Sequence, residues 1–225
     1  RYGFSNLSLV PAYARELAAM NLDAVVSTCT PTTLIAQRFI GSTPQSTPII
    51  MAAVADPVGQ KIVTSLARPG ANVTGLASQA EDIMPKILSQ FAVVLQRPTK
   101  VAVLVDASSN VHPRMVLALQ KSALQLNLAL VQVNAGRRPG EASLSDAFDA
   151  AVRAGADGIV VLPDEPFFFA SRTQIVDLAA RHRLPAIYGL REYVDAGGLM
   201  SYGEDLNTAW RSIGSYVSRI VAGNS

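Results

Sequence analysis

Short apolar, β-branched runs alternate along this chain with longer segments whose apolar residues recur at helical spacing. The runs are Ala24–Ser27, Pro48–Val54, Asn72–Leu76, Lys100–Val105, Leu128–Val133, Gly158–Leu162 and Pro185–Tyr188. The amphipathic segments are Leu9–Met20, Thr32–Phe39, Val58–Leu66, Asp82–Val94, Met115–Leu126, Leu144–Ala154, Ser171–His182 and Leu206–Val221. Strand and helix repeated in this way predict parallel sheets covered by helices, an α/β fold. The strands read as nearly continuous apolar runs, which predicts burial on both faces.

The alternation divides into two series. The turn signal "RPG" and Asn72–Leu76 close the first, and "RPTKVAVLVD" opens the second as a fresh first strand. A late "DAGGLMSYGEDL" adds one short strand before the last helix. The economical architecture is two doubly wound parallel-sheet lobes, 1–76 with 204–225 and 77–203, joined by crossings near Leu76–Ala80 and Ser201–Glu204. A hinge and an interlobe cleft follow from that arrangement.

Composition narrows the function classes. The chain has 225 residues, 49% hydrophobic and 16% charged, which suits a globular protein with a sizeable core. Its 19 basic and 17 acidic residues are dispersed without a basic stripe, which argues against nucleic acid as a partner. The single cysteine, Cys29, excludes an internal disulfide and any multi-Cys metal site. His112 and His182 stand far apart and outside metal-ligand spacing, so no metal or other cofactor is expected. Polar residues break the apolar stretches well before the roughly 20 residues that a membrane span needs.

Open parallel α/β sheets bind ligands beyond the carboxyl ends of their strands, where loops lead into helix N-termini. The first such loop, "STCTPTT", places Ser27, Thr28 and Thr30 after a strand, with Thr30 suited to an N-cap and Pro31 to the first helical position. Its free N–H groups and the helix dipole favour an anion such as a carboxylate, and ordinary capping is the plainer alternative. Asp56 either holds a ligand ammonium or caps the segment Val58–Leu66. Thr74 lies near the first crossing and reads equally as a strand residue. In the second lobe Asp106, Ser108 and Asn110 either bind polar groups or cap the following helix. Asp164 offers a carboxylate beside Phe167 and Phe168, which suit core packing as well as a ligand platform. Tyr188 and Tyr202 stand at strand ends, either stacking on a ligand or serving as structural tyrosines. His112 precedes Pro113 and reads as a capping or surface residue.

The sequence carries no G-x-G-x-x-G, Walker loop, G-x-S-x-G or H-E-x-x-H pattern. Cys29 is the only candidate nucleophile, and small-residue packing explains it as well. Hydroxyls, amides and carboxylates without an acid–base couple suit recognition better than bond making, so the reading is a binder and not an enzyme.

Three stretches, "PIIMAAVADPVGQKIVTSLARPGANVTGL", "DGIVVLPDEPFFFASRTQIVDLAARHRLPAIYGLREYVDAGGLMSYGEDL" and "VSRIVAGNS", resemble the ABC-transporter substrate-binding protein family that includes tryptophan and other aromatic-amino-acid binders. The resemblance covers nearly the whole chain. It implies a type I periplasmic-binding fold in which two lobes close on a small ligand and deliver it to a membrane permease. The family's small-residue loop falls on Ser27–Leu34, which makes Ser27, Thr28 and Thr30 contacts to a ligand's carboxylate or backbone. Its "DPV" falls on Asp56–Val58, its "NVTG" on Asn72–Gly75 and its "SYG" on Ser201–Gly203. Where the family's second-lobe loop reads Asn-Pro, this chain has Asp106-Ala107. The family also carries a strand, a helix and most of a second strand ahead of the position of Arg1, and a tail beyond that of Ser225. The resemblance therefore implies a first lobe that is incomplete here, or completed by another copy of the chain.

The expected function is the solute-binding component of an ABC importer, periplasmic or lipid-anchored, trapping an amino acid or related carboxylate. Its partners would be the small-molecule ligand and a membrane permease. The alternative is the ligand-sensing core of a transcription regulator or receptor with the same fold.

Overall fold

The computed structural model describes residues 7–41, 46–78, 80–136, 138, 140–163 and 166–223. The chain forms two compact units, Arg1–Gln79 with Asp205–Ser225, and Ala80–Glu204.

The first unit holds a parallel sheet of β1 (Val25–Thr28), β2 (Ile49–Val54) and β3 (Val73–Ala77), in that spatial order. Its helices are α1 (Val10–Ala18), α2 (Thr30–Ile40) and α9 (Leu206–Val221). Strand β2 is central and buried on both faces because its side chains alternate between two cores. Ile49 and Met51 join Ala36 of α2 with Ile62, Val63 and Val73. Ile50 and Ala52 meet Ile213 of α9, against which Tyr216, Val217 and Ile220 also pack. A bulge at Ala53, whose φ is 54°, shifts the β2–β3 register and turns Val54 toward the Met51 side. Across from the bulge, Gly75 has φ +130°, and a Cβ there would collide with the Met51 carbonyl oxygen. Only glycine suits that close approach.

Strand β1 departs from the two-faced pattern. Val25 and Ser27 are buried, but Val26 is 42% exposed and Thr28 also faces outward. Val58–Leu66, read above as helical, forms turns instead. Asp56 Oδ1 accepts the Gly59 N–H, the Ile62 and Val63 N–H groups both donate to the Pro57 carbonyl, and Lys61 has φ 58°. Gly59 and the consecutive β-branched Ile62, Val63 and Thr64 are poor helix formers, so an Asp-Pro turn outcompetes the helical period.

The second unit holds β4 (Lys100–Val105), β5 (Ala129–Asn134), β6 (Gly158–Val161), β7 (Ala186–Leu190) and β8 (Met200–Glu204), all parallel in the order β5-β4-β6-β7-β8. The helices are α3 (Ala80–Val94), α4 (His112–Gln125), α5 (Leu144–Arg153), α6 (Pro166–Ala170), α7 (Arg172–Arg181) and α8 (Glu192–Asp195). Helix α5 starts at a capping box, in which Ser143 Oγ accepts the Asp146 N–H and the Asp146 carboxylate accepts the Ser143 N–H. Its Leu144, Ala147, Phe148 and Ala151, spaced i, i+3, i+4 and i+7, enter one core with Leu104, Ile159, Val161, Ile175 and Tyr188. Burying a side chain such as Phe148 contributes roughly 2–3 kcal/mol. Met84, Ile87, Leu88 and Phe91 of α3 are buried, as are Met115, Leu119 and Ala123 of α4.

The strand order positions the site. The chain runs from β4 outward to β5, then returns across β4 to β6. The loops leaving β4 and β6 therefore diverge at neighbouring carboxyl ends. Such a reversal opens a crevice in a doubly wound sheet.

Candidate functional site

In the first unit the strand-end loop after β1 is braced from within. Thr30 is 1% exposed, and its Oγ1 donates to the Ala55 carbonyl and accepts the Ala55 N–H, both at 3.1 Å. One hydroxyl thereby stitches the start of α2 to the end of β2. Thr33 Oγ1 donates to Ser27 Oγ at 3.0 Å and to the Cys29 carbonyl at 2.9 Å, while Ser27 Oγ donates to Thr32 Oγ1. Thr32 Oγ1 also donates to the Thr28 carbonyl. The expectation that Thr30 is the N-cap is corrected: Cys29 takes that position, Thr30 opens the helix and Pro31 follows in the first turn. The hydroxyls of Ser27 and Thr30 point into the protein, while Thr28 is exposed.

Two features of that loop concern a ligand. Helix α2, like α1, α4, α7 and α8, has no side-chain cap hydrogen bond, while α5 and α9 are capped by Ser143 and Asp205. Its first turn thus offers backbone N–H groups and the positive end of the dipole to an anion. Cys29 has φ 61° and ψ 161°, a conformation largely reserved for glycine, and this strain sets the direction of the loop.

Asp56, after β2, is buried with φ 45°, and its Oδ1 accepts the Gly59 N–H. It caps a turn, not a helix. Thr74 is half-buried near the start of β3 and lines a cavity of about 310 Å3 with Met51, Val63, Leu66, Leu76 and Tyr216. It therefore sits away from the carboxyl edge. Ser78, which the sequence reading missed, lies just past β3; its N–H donates to the Val54 carbonyl, and its buried Oγ has no hydrogen-bond partner.

In the second unit Asp106 directly follows β4 and is buried. Its Oδ1 accepts both the N–H and the hydroxyl of Ser108 at 2.7 Å, closing an Asx turn. Ser108 and Asn110 are exposed, and Ser109 Oγ accepts long 3.4 Å bonds from the Val111 and His112 N–H groups. Asp164 lies outside the described residues. Phe168 is fully buried and packs at 5.6 Å on Phe167.

His112 corrects a second expectation. It is no surface or capping residue: the ring is fully buried, and burial lowers its pKa to about 4. Tyr188 is likewise a core residue, 1% exposed and stacked at 4.7 Å on Tyr193, and burial raises its pKa to about 12. A Cβ at Gly198 would stand 2.6 Å from the Tyr188 ring, so that glycine makes room for it. Tyr202, on the edge strand β8, stays accessible at 40% exposure.

Two carboxylates at the ends of β7 and β8 also escaped the sequence reading. Glu192 Oε2 is buried without a hydrogen-bond partner. Burial raises the pKa of Glu204, whose register partner on β7 is Leu190. Only the strand-end position of "REY" and "GED" could have signalled them. Among the described residues, no group of three or more His, Cys, Asp or Glu is placed to hold a metal, and no helix is long and apolar enough to cross a membrane.

The comparisons with known proteins converge. The family model for ABC transporter substrate binding proteins matches residues 4–225. A tyrosine-binding protein of Clostridioides difficile is 23% identical over 221 residues, which are 98% of this chain and 61% of that protein. The chain thus spans less than two thirds of this curated relative. A conserved domain protein from Vibrio cholerae superposes with a TM-score of 0.84 at 25% identity, over 97% of this chain and 70% of the other. An ABC domain from Streptococcus pneumoniae in complex with L-Trp has a TM-score of 0.80 at 21% identity, over 97% and 72%. Both likenesses rest on the same two-sheet α/β architecture.

Proposed function

This chain belongs to the family of ABC transporter substrate binding proteins, and we propose that it is the solute-binding component of an importer for an amino acid with an aromatic or branched side chain. The observation that carries this reading is the reach of the family match, residues 4–225, which takes in every strand-end loop described above. The ligand class is supported by the relative named for tyrosine binding, by the similar structure that holds L-Trp, and by a structural neighbour from Desulfitobacterium hafniense, 13% identical with a TM-score of 0.53, that holds Leu.

The chemistry of the loops suits such a ligand. An amino acid presents a carboxylate, an ammonium and an apolar body. The uncapped first turn of α2 offers N–H donors to the carboxylate. On the second unit, the half-buried Glu192 and Glu204 offer negative charge to an ammonium. The exposed Tyr202 offers an aromatic face. In this reading Ser27 and Thr30 shape the first loop, and Thr28, Ser108 and Asn110 keep accessible positions for direct contacts. The extracytoplasmic location and the permease partner follow from the family's role.

Thermal unfolding in the presence of L-tyrosine, L-tryptophan, L-phenylalanine and L-leucine tests the proposal. A ligand at 100 times its Kd stabilises by about 2.7 kcal/mol, which for a chain of this size raises Tm by roughly 5–10 °C. No shift with any of these, against a shift with an unrelated organic acid, overturns the amino-acid assignment.

A further inference from the structure

The carboxyl ends of β4 and β6 stand side by side at the reversal of strand order in the second unit. The segment leaving β4 begins at Asp106, and the one leaving β6 passes through Leu162 and Pro163. Loops that diverge at a reversal have no ladder between them, so something else must fix their separation. Here one side chain spans them. The Asp106 N–H donates to His112 Nδ1 at 3.0 Å, and His112 Nε2 lies 3.0 Å from the Pro163 carbonyl oxygen.

The geometry sets the tautomer. A nitrogen that accepts from a backbone N–H cannot itself carry a proton, so Nδ1 is bare and Nε2–H donates to Pro163. The ring is uncharged, and low pKa through burial is consistent with that state. Its centroid lies 5.8 Å from that of Phe168, which adds the helix after β6 to the same cluster. Asp106 in turn holds Ser108 through two hydrogen bonds. Asp106, Pro163 and Phe168 thereby converge on one imidazole.

We propose that His112 is a positioning residue that latches the segment leaving β4 to Pro163 at the exit of β6, so that the ligand meets a preformed surface on the second unit. A surface fixed in advance costs less ordering on binding. The second half of the proposal rests on the solute-binding reading; the latch itself does not.

The test uses the full chain and three variants. In wild type, nitrogen-15 NMR of the imidazole at neutral pH should show a bare Nδ1 and a protonated Nε2, and the opposite tautomer overturns the latch. His112→Phe keeps a ring against Phe168 but removes both bonds. Amide exchange should then accelerate in residues 106–111 and in Phe167–Ala170 of α6, which packs on the ring through Phe168. His112→Asn, whose carbonyl can stand in for Nδ1, should keep the Asp106 amide protected while the Pro163 side loosens. His112→Gln, whose amide reaches the Nε2 position, should do the reverse. Uniform exchange in all three variants overturns the latch, and the Asn and Gln variants decide the question should the Phe variant not fold. Binding of L-tyrosine and L-tryptophan is measured alongside. His112→Phe should weaken the binding shown by wild type at least about tenfold, the cost of reordering two loops. Faster exchange with unchanged affinity overturns the preformed surface. If wild type binds neither amino acid, the solute-binding reading fails for these ligands, while the exchange pattern still decides the latch.

Discussion

Acidification should weaken the second unit through His112 in a window well above that of its aspartates. The free imidazole has a pKa of 6.5, and in the folded chain burial lowers it to about 4, against smaller opposing effects of the Pro163 carbonyl and the Asp106 carboxylate. Above pH 6.5 both folded and unfolded chains are neutral there and the contribution is complete. Between 6.5 and about 4 the unfolded chain takes up the proton and the folded one does not, so stability falls as pH falls. The full loss is about 3 kcal/mol, or roughly two and a half decades in an opening equilibrium. Asp146 and Asp157 have pKa values lowered from 3.8 by hydrogen bonds from Ser143 and from the Thr99 and Lys100 N–H groups, so their losses fall below this window. Glu204, raised from 4.5 by burial, acts with the opposite sign, because its folded form holds the proton longer. Trp210 lies on α9 in the first unit, so a probe within the second unit is used. The assay is hydrogen exchange of the β4 peptide, corrected for intrinsic rates, in wild type and His112→Gln. The wild-type protection should fall steeply from pH 6.5 toward 4, and the variant's should lack that component. Equal slopes in the two proteins, or an imidazole titrating near 6.5 in the folded chain, would refute the assignment.

Two substitutions probe the first strand-end loop, both read by urea unfolding through Trp210. Thr30→Val keeps the shape but strands the Ala55 N–H and carbonyl in a buried site, and should cost about 2–3 kcal/mol; a loss below about 0.5 kcal/mol would show that the hydroxyl is no brace. Cys29→Gly relieves a strained φ of 61° at some cost in chain entropy, and should stabilise by about 1 kcal/mol. Destabilisation would mean that the Cys29 side chain contributes more than its backbone costs.

Legibility in the sequence tracked how local the determining interactions are. Strand β4 occupies the residues that its apolar run predicts, and α9 spans the predicted Leu206–Val221, because periodicity alone specifies a two-faced strand or a one-faced helix. The Val58–Leu66 prediction failed where an Asp-Pro-x-Gly turn, itself visible in the sequence, competes with the helical period. The site was less legible. Whether Tyr188 faced a ligand or the core depended on Tyr193 and on a glycine ten residues downstream. His112 looked superficial beside Pro113, since both its partners, Asp106 and Pro163, are brought to it by the sheet and not by its neighbours in sequence.

The same distinction recasts the hydroxyl-rich loop after β1. A sequence shows how many donors a loop carries but not which way they turn. Thr30 and Thr33 direct their hydroxyls to Ala55, Ser27 and Cys29, and this inward network holds the backbone in place. Backbone N–H groups at a helix start cannot be retuned by mutation, so their aim must be set by the side chains around them. Under the solute-binding reading proposed above, the hydroxyls of this loop would matter to a carboxylate mainly by fixing the amides offered to it. His112 does for the second unit, with two nitrogens, what Thr30 does for the first with one oxygen: each joins the ends of adjacent strands through main-chain groups of its neighbours. If the proposed solute-binding reading holds, its recognition surface is written in buried polar side chains, where a scan for exposed ligand contacts would not look.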